Sequence, residues 1–258
     1  MQDLSIALIQ TCLFWEDRQA NYDHLEARLA TLPAHVRLAI LPEMFPTGFS
    51  LHPDRMSEPA EGPTLYIMRE WARKYDLSVV GSAMVEEDGA HYNRLFFVRP
   101  DETFDTYDKR HLFSMAGENN KLSPGRNKLI LDYEGCRIAP MICYDLRFPV
   151  WIRNKEHYDI SIFVANWPDE RVAHWRTLLK ARAIENQVYV LGVNRVGKDG
   201  NGVPHSGYSA IISPDGEIIQ EAAREEVVLT HVLSEKSLTK IRRQKAFLKD
   251  IDEFHLHH

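Results

Sequence analysis

The sequence contains few cysteines and no long apolar run. Cys12, Cys136 and Cys143 are the only three cysteines in 258 residues. They are too few and too widely spaced to predict a disulfide framework. No apolar run has membrane-spanning length, and the first residues, M-Q-D-L-S-I-A-L-I-Q, lack the pattern of a secretory signal. These absences favour a protein of the reducing cytoplasm, without a membrane partner.

The sequence also lacks metal-binding and nucleic-acid-binding patterns. Its twelve histidines form no H-E-x-x-H or comparable cluster, and its cysteines form no C-x-x-C pair. We therefore expect no metal. The net charge is −6, and charged residues of both signs are mixed along the chain with no dense Lys/Arg block. This pattern argues against a nucleic-acid partner. His255, His257 and His258 are compatible with a frayed or vector-derived end.

Short apolar runs alternate with amphipathic segments along the whole chain, a pattern typical of an α/β fold. We predict one domain over residues 1–258, with a C-terminal helix and tail from about residue 234. The hydrophobic periodicity predicts long helices at 17–32, 63–75 and 171–186. Buried strands are predicted at 4–9, 36–41, 77–85, 91–98, 103–109, 128–133, 136–143, 159–166, 188–193, 207–213, 217–222 and 227–232. Helices that cover sheet faces suggest two sheets stacked between helical layers.

Three reactive side chains lie at or just past the end of a predicted buried strand: Glu43, Lys109 and Cys143. Strand ends at one edge of a sheet can converge in space, and open α/β sheets place ligand sites there. At Cys143, a sharp turn between strand and loop would expose the thiol and direct the backbone N–H of Tyr144 at a bound carbonyl. The simpler interpretation is a buried structural cysteine.

Glu43 and Lys109 also admit two interpretations. Glu43 follows an apolar strand and precedes aromatic residues, so its carboxylate could lie in a partly dehydrated pocket and accept a proton; alternatively it is a solvated loop glutamate. Lys109 could serve as a cation in the site, or it could be a surface lysine paired with Asp105 or Asp108. Spacing by itself does not decide between these interpretations.

Several short motifs, in this order, resemble those of the nitrilase superfamily of carbon–nitrogen hydrolases. They are L-P-E-M-F at 41–45, Y-D-K-R-H-L-F at 107–113, L-S-P-G at 122–125, M-I-C-Y-D-L-R-F-P at 141–149, A-N-W-P at 165–168 and A-R-A-I-E-N-Q at 181–187. The similarity extends from the first strand to about Val232. C-Y-D-L-R-F-P and A-N-W-P are most similar to the omega-amidase branch, whose members deamidate alpha-keto acid amides.

The resemblance implies specific roles. Glu43 would be the general base, Lys109 the oxyanion stabiliser and Cys143 the nucleophile, while Glu118 would orient Lys109 and the substrate amide, or merely cap a loop. It also implies an α-β-β-α sandwich, pairing of protomers into a homodimer, and hydrolysis through a thioester without any cofactor. The partners would be a small-molecule amide and water.

For an omega-amidase the substrate carries a distant carboxylate, for which Arg147 is a candidate partner; Arg147 could equally pair with Asp145. Trp167 and Phe49 could form apolar walls, or belong to the core. Arg182 and Glu185 are interpreted as buried support. Alternatives are a nitrilase, an N-carbamoyl amino acid hydrolase, a deaminated glutathione amidase, or a non-catalytic scaffold, in which Cys143 would react with iodoacetamide no faster than the other thiols.

Overall fold

The computed structural model describes residues 1–256, so His257 and His258 lie outside the described residues. The six α-helices within this range are α1 (Arg18–Leu29), α2 (Pro53–Met56), α3 (Pro63–Tyr75), α4 (Pro149–Ile152), α5 (Val172–Asn186) and α6 (Glu235–Gln244). The strands of the same range are β1 (Leu4–Gln10), β2 (Leu38–Ile40), β3 (Glu58–Pro59), β4 (Ser78–Glu87), β5 (Ala90–Val98), β6 (Phe104–Asp108), β7 (Leu131–Tyr133), β8 (Cys136–Ile142), β9 (Ile160–Ala165), β10 (Tyr189–Asn194), β11 (Val196–Lys198), β12 (Pro204–Ser206), β13 (Ala210–Ile212), β14 (Ile218–Glu221) and β15 (Val227–Leu233).

Two mixed sheets form the centre of the fold. The first has the order β15-β1-β2-β4-β5-β6, with β3 paired to β4, and the second has the order β14-β13-β10-β9-β8-β7. The inner strands β1, β2 and β4 run parallel to one another, as do β8, β9 and β10. Antiparallel strands complete both sheets towards their edges.

Alternation along β1 shows how the layers pack. Leu4, Ile6 and Leu8 join a core that also contains second-sheet residues, whereas Ala7 and Ile9 join a separate core with α1 and α3. Because side chains alternate between the faces of a strand, one face of the first sheet packs on the second sheet and the other on helices.

Helix α5 packs against β10 and β13 of the second sheet. A Cβ added to Gly192 in β10 would lie 2.6 Å from Leu179 Cδ1 of α5, so the absent side chain permits this close approach. The predicted α-β-β-α sandwich is confirmed. The pattern did not predict the short α2 and α4, or the hairpin of β11 and β12, which forms a two-stranded sheet of its own.

The predicted C-terminal helix is also found, with Ser234 capping α6 through a hydrogen bond from the Ser237 N–H. Within residues 1–256, no helix combines the length and the apolar character that a membrane crossing requires.

Candidate active site

The ends of three strands from both sheets meet at one place. Glu43 lies in the turn after β2, Lys109 directly follows β6, and Cys143 directly follows β8. Lys109 Nζ lies 2.8 Å from Glu43 Oε1. The backbone N–H of Asn166 donates to Glu43 Oε2 at 2.8 Å, and the carbonyl oxygen of the same residue is 4.0 Å from Cys143 Sγ. The structure therefore brings together the three side chains that the sequence analysis selected.

Glu43 is a fully buried carboxylate rather than a solvated loop residue. Its side chain is 0% exposed, so the loop interpretation is wrong. Besides Lys109 and the Asn166 N–H, Asn93 donates to Glu43 Oε1 at 2.9 Å. The Asn166 side chain in turn donates to the Glu43 carbonyl at 2.5 Å, which fixes the turn that carries the carboxylate. A buried carboxylate with this many donors is held in one orientation.

Lys109 is equally buried, which contradicts the surface interpretation. Asp108 pairs with Arg94, and Asp105 pairs with Arg99, so neither aspartate is the partner of Lys109. The Lys109 ammonium instead contacts Glu118, at 2.9 and 3.0 Å from the two carboxylate oxygens, in addition to Glu43.

Electrostatics keep Lys109 charged. Burial alone would lower the pKa of Lys109, but the carboxylates of Glu118 and Glu43 outweigh burial and raise it above its usual range. Burial raises the pKa of Glu118, against the opposing effect of Lys109. Glu118 also accepts a hydrogen bond from the backbone N–H of Phe113 at 2.6 Å. It therefore both holds Lys109 and anchors the loop that follows Lys109.

Cys143 occupies a strained turn, as the sequence predicted. Its φ of 43° is in the left-handed region, and it begins a short 3₁₀ helix, Cys143–Arg147. Burial raises the pKa of the Cys143 thiol well above its usual range, the neighbouring Glu43 adds to this, and Lys109 partly offsets it. The thiol of the free protein is therefore protonated, with a carboxylate beside it.

A cavity of about 460 Å³ opens onto Cys143 and Lys109. The four residues predicted to bind substrate all line it: Phe49, Tyr144, Arg147 and Trp167. Glu43 and Glu118 lie behind Lys109 rather than on the cavity surface. The wall is completed by Trp15, Leu51, His52, Phe113, Met115, Ala116, Asn166, Pro168, Glu170, Arg171, Asp199, Asn201, Val203 and His205.

Arg147 does not pair with Asp145. Its guanidinium lies 4.6 Å from the Trp167 ring centre and 3.3 Å from His174 Nδ1, and no carboxylate within residues 1–256 is paired with it. Burial lowers the pKa of Arg147, and the positive charge of Arg171 acts in the same direction. The cavity wall thus contains a cation without a counter-charge.

Arg182 is buried, as predicted, and supports the turn at Cys143, whereas Glu185 is only half-buried. Arg182 donates twice to the Leu146 carbonyl, at 2.7 and 3.0 Å, and is held by Glu185 at 3.0 Å. These two residues support the 3₁₀ helix from the α5 side.

Several residues of the site were not predicted from the sequence. Asn93 and Asn166 hold Glu43, and Arg171 and His205 add polar groups to the cavity wall. Asn166 is the last residue of a predicted buried strand, a position similar to those of the three reactive residues. Asn93 lies within a strand and His205 within the unpredicted hairpin, so no comparable signal marked them.

A second cluster of polar side chains lies outside this cavity. The thiol of Cys12, the imidazole of His24 and the carboxylate of Glu226 lie within 4.8 Å of one another. Glu226 is already paired with Arg28 at 2.5 Å, and burial raises the pKa of Cys12 to about 11. A cation would have to displace Arg28 and deprotonate this thiol, so the cluster is poorly suited to metal binding.

The main site brings together a thiol and an ammonium that line one cavity and a buried carboxylate that contacts the ammonium. A thiol beside a carboxylate can attack a carbonyl carbon, and an adjacent ammonium can stabilise the oxyanion that forms. This combination defines a class of cysteine-dependent acyl-transfer enzymes.

The chain belongs to the carbon–nitrogen hydrolase family, whose model matches residues 5–243. It is 41% identical to Omega-amidase YafV of Escherichia coli K12 over 99% of this chain and the full length of that protein. It is 30% identical to 2-oxoglutaramate amidase of Bacillus subtilis, over 96% of this chain and 97% of that one. The crystal structure of XC1258 from Xanthomonas campestris, a CN-hydrolase superfamily protein with an arsenic adduct in the active site, superposes over 100% of both chains with a TM-score of 0.97 at 39% identity.

Proposed function

We propose that the chain is an omega-amidase. It hydrolyses the terminal amide of a small dicarboxylic monoamide, such as alpha-ketoglutaramate or alpha-ketosuccinamate, to the acid and ammonia. The observation that carries this proposal is the cavity in which Cys143 and Lys109 lie beside the unpaired cation of Arg147. The names of the E. coli and B. subtilis relatives support the same substrate class.

Acylation begins with a neutral thiol. Because the Cys143 thiol is protonated in the free protein, Glu43 accepts its proton as the sulfur attacks the amide carbon. The carbonyl oxygen becomes an oxyanion, which Lys109 Nζ and the Tyr144 backbone N–H stabilise. Glu43 then transfers the proton to the amide nitrogen, the C–N bond breaks, and ammonia leaves behind a thioester on Cys143.

Deacylation uses the same groups in reverse order. Water donates a proton to Glu43 while its oxygen attacks the thioester carbon, and the same two donors stabilise the second oxyanion. The C–S bond breaks, the carboxylic acid is released, and the Cys143 sulfur recovers the proton from Glu43. Glu118 stays outside this proton transfer and keeps Lys109 in position through its two contacts.

Arg147 supplies the contact for the distant carboxylate. A guanidinium binds a carboxylate in a planar, bidentate arrangement, and no carboxylate in the described part of the chain is paired with Arg147. Phe49 and Trp167 form apolar surfaces of the same cavity and limit the length of the substrate. We expect a homodimer in the cytoplasm, where the three free thiols would stay reduced.

The test is ammonia release from alpha-ketoglutaramate, alpha-ketosuccinamate, glutamine, a simple nitrile and an N-carbamoyl amino acid. We expect turnover of the two keto-acid amides by the wild-type protein and none by Cys143→Ala. Arg147→Met should raise KM for the keto-acid amides by at least about tenfold, since a charged hydrogen bond is lost. Turnover of only the nitrile or the carbamoyl compound would be consistent with the thiol chemistry but would contradict the proposed substrate class.

A further inference from the structure

His205 is a buried side chain of the cavity wall that the proposed mechanism leaves unused. It lies in β12, lines the same cavity as Cys143 and Lys109, and is 6% exposed. Its Nδ1 is 3.0 Å from the Val203 carbonyl oxygen. Because a carbonyl oxygen only accepts hydrogen bonds, this contact places the proton of the neutral ring on Nδ1 and leaves a lone pair on Nε2.

The Nε2 atom of this cavity-lining ring is not fully enclosed by protein. No group within residues 1–256 forms a hydrogen bond with Nε2, and this atom retains some accessible surface. Two other acceptors of the wall are less available to a ligand. Asn166 Oδ1 is closed off from solvent, and one oxygen of the Asp199 carboxylate accepts the backbone N–H groups of Asn201 and Val203.

The ring is held in its uncharged form. Burial lowers the pKa of His205 to about 4; the Arg195 cation acts in the same direction, while Asp199 and Glu43 oppose it. At neutral pH, His205 is therefore a fixed hydrogen-bond acceptor rather than a cation.

A primary amide brings one acceptor and two donors into the site. Lys109 and the Tyr144 N–H serve its carbonyl oxygen, but the NH₂ group needs an acceptor that does not take its proton. We propose that His205 Nε2 accepts a hydrogen bond from the substrate NH₂ group, and then from the water that replaces ammonia. His205 thereby selects primary amides over esters and N-substituted amides. This inference rests on the proposed amide hydrolysis.

The test compares two neutral replacements. His205→Gln keeps an acceptor, whereas His205→Leu removes it at similar volume. We expect His205→Leu to lower kcat/KM for the keto-acid amide by about 10- to 100-fold, and His205→Gln to stay within about fivefold of wild type. A substrate analogue in which a methyl ester replaces the terminal amide has no N–H to donate. Its kinetics therefore distinguish loss of the proposed contact from a general loss of activity. The amide-to-ester ratio of kcat/KM should fall at least about tenfold in His205→Leu.

His35→Leu is the matched control, since His35 is exposed and outside the cavity. It should leave the amide-to-ester ratio unchanged. The proposal would be overturned if His205→Leu lowered kcat/KM equally for the amide and the ester. It would also be overturned if the leucine and glutamine variants lost the same kcat/KM for the amide. Either result would assign His205 a packing role.

Thiol alkylation tests the same contact without turnover. We expect the wild-type protein to favour iodoacetamide over its N,N-dimethyl analogue at Cys143, and His205→Leu to lose about threefold or more of that preference. An unchanged preference would contradict the His205 contact. A wild-type protein that hydrolyses no amide but shows the expected labelling difference would contradict the proposed function alone.

Discussion

Lys109 Nζ lies 2.8 Å from Glu43 Oε1, and neither side chain is exposed to solvent. With Glu118, these residues form a buried group of one cation and two carboxylates. Burial of such charges is tolerated when each has close partners of opposite sign and further hydrogen bonds. The two carboxylates therefore depend on Lys109, because its removal would leave both of them buried without a counter-charge.

Replacement of the cation tests this dependence. Lys109→Met should lower kcat by about 100-fold or more, because a proposed oxyanion donor is lost. It should also destabilise the fold by about 3–5 kcal/mol, because Glu43 and Glu118 remain buried without their counter-charge. Steady-state kinetics and urea unfolding measure the two effects. Lys121→Met, at an exposed position, should change neither. A fully active Lys109→Met protein would exclude the oxyanion role.

The second prediction concerns the turn that carries the thiol. Asp145 is fully buried, and its two oxygens accept from the Tyr107 hydroxyl at 2.8 Å, the Ile142 N–H at 3.1 Å, and the backbone and Nδ1 of His111 at 3.0 and 2.8 Å. This carboxylate therefore joins the loop after Lys109 to the turn at Cys143.

Asp145→Asn replaces an acceptor oxygen with an amide donor that faces other donors. We expect a loss of about 1–3 kcal/mol in the free energy of unfolding. We also expect a fall in kcat on the order of 10- to 100-fold, since the turn would shift. Tyr107→Phe removes one of the donors to Asp145, together with an acceptor for Trp151 Nε1–H and the Arg110 N–H, and should lower kcat less than Asp145→Asn does. If Asp145→Asn lost stability but kept kcat, Asp145 would support the fold without positioning the nucleophile.

The sequence was informative where buried strands end in reactive residues. Their places at strand ends made Glu43, Lys109 and Cys143 candidates, and the resemblance of the surrounding motifs to a known family then favoured the catalytic interpretation of all three. The sequence did not reveal that Asp145 binds His111 rather than Arg147, because several nearby cations were possible partners. The β11–β12 hairpin was missed because its strands are three residues long and contain glycine and proline, which carry little periodic signal.

Glu226 makes stability depend on pH. Burial alone would raise the pKa of its carboxyl, but hydrogen bonds from Cys12 and Thr11 and the nearby His24 outweigh burial and lower it to about 2. A lowered carboxyl pKa stabilises the fold above the unfolded-state pKa, and this contribution is lost as pH falls towards 2.

Glu226→Gln should therefore lower the free energy of unfolding by about 1–3 kcal/mol at pH 7. The difference from wild type should shrink as pH falls below about 4.5. Urea unfolding between pH 7 and pH 3 measures this trend. Glu225→Gln at the exposed neighbouring position should differ from wild type by less than about 0.5 kcal/mol throughout. A difference for Glu226→Gln that stayed constant with pH would assign the effect to packing.

The shape of the cavity depends on a close contact between a glycine and an aromatic ring. A Cβ added to Gly200, in the turn of the β11–β12 hairpin, would lie 2.4 Å from the Trp15 ring, which lines the cavity. Gly200→Ala must therefore displace either the ring or the turn. We expect KM for the amide substrate to rise several-fold with little change in kcat, because Cys143 and its neighbours are untouched.

Gly202 in the same turn provides the matched control for Gly200. Its φ is 78° and an added Cβ would have no atom within 4 Å. Gly202→Ala should thus cost about 1 kcal/mol of stability through backbone strain while KM stays at the wild-type value. Equal KM changes in the two variants would show that the hairpin acts through its overall stability. A change confined to Gly200→Ala would show that the position of Trp15 controls substrate binding.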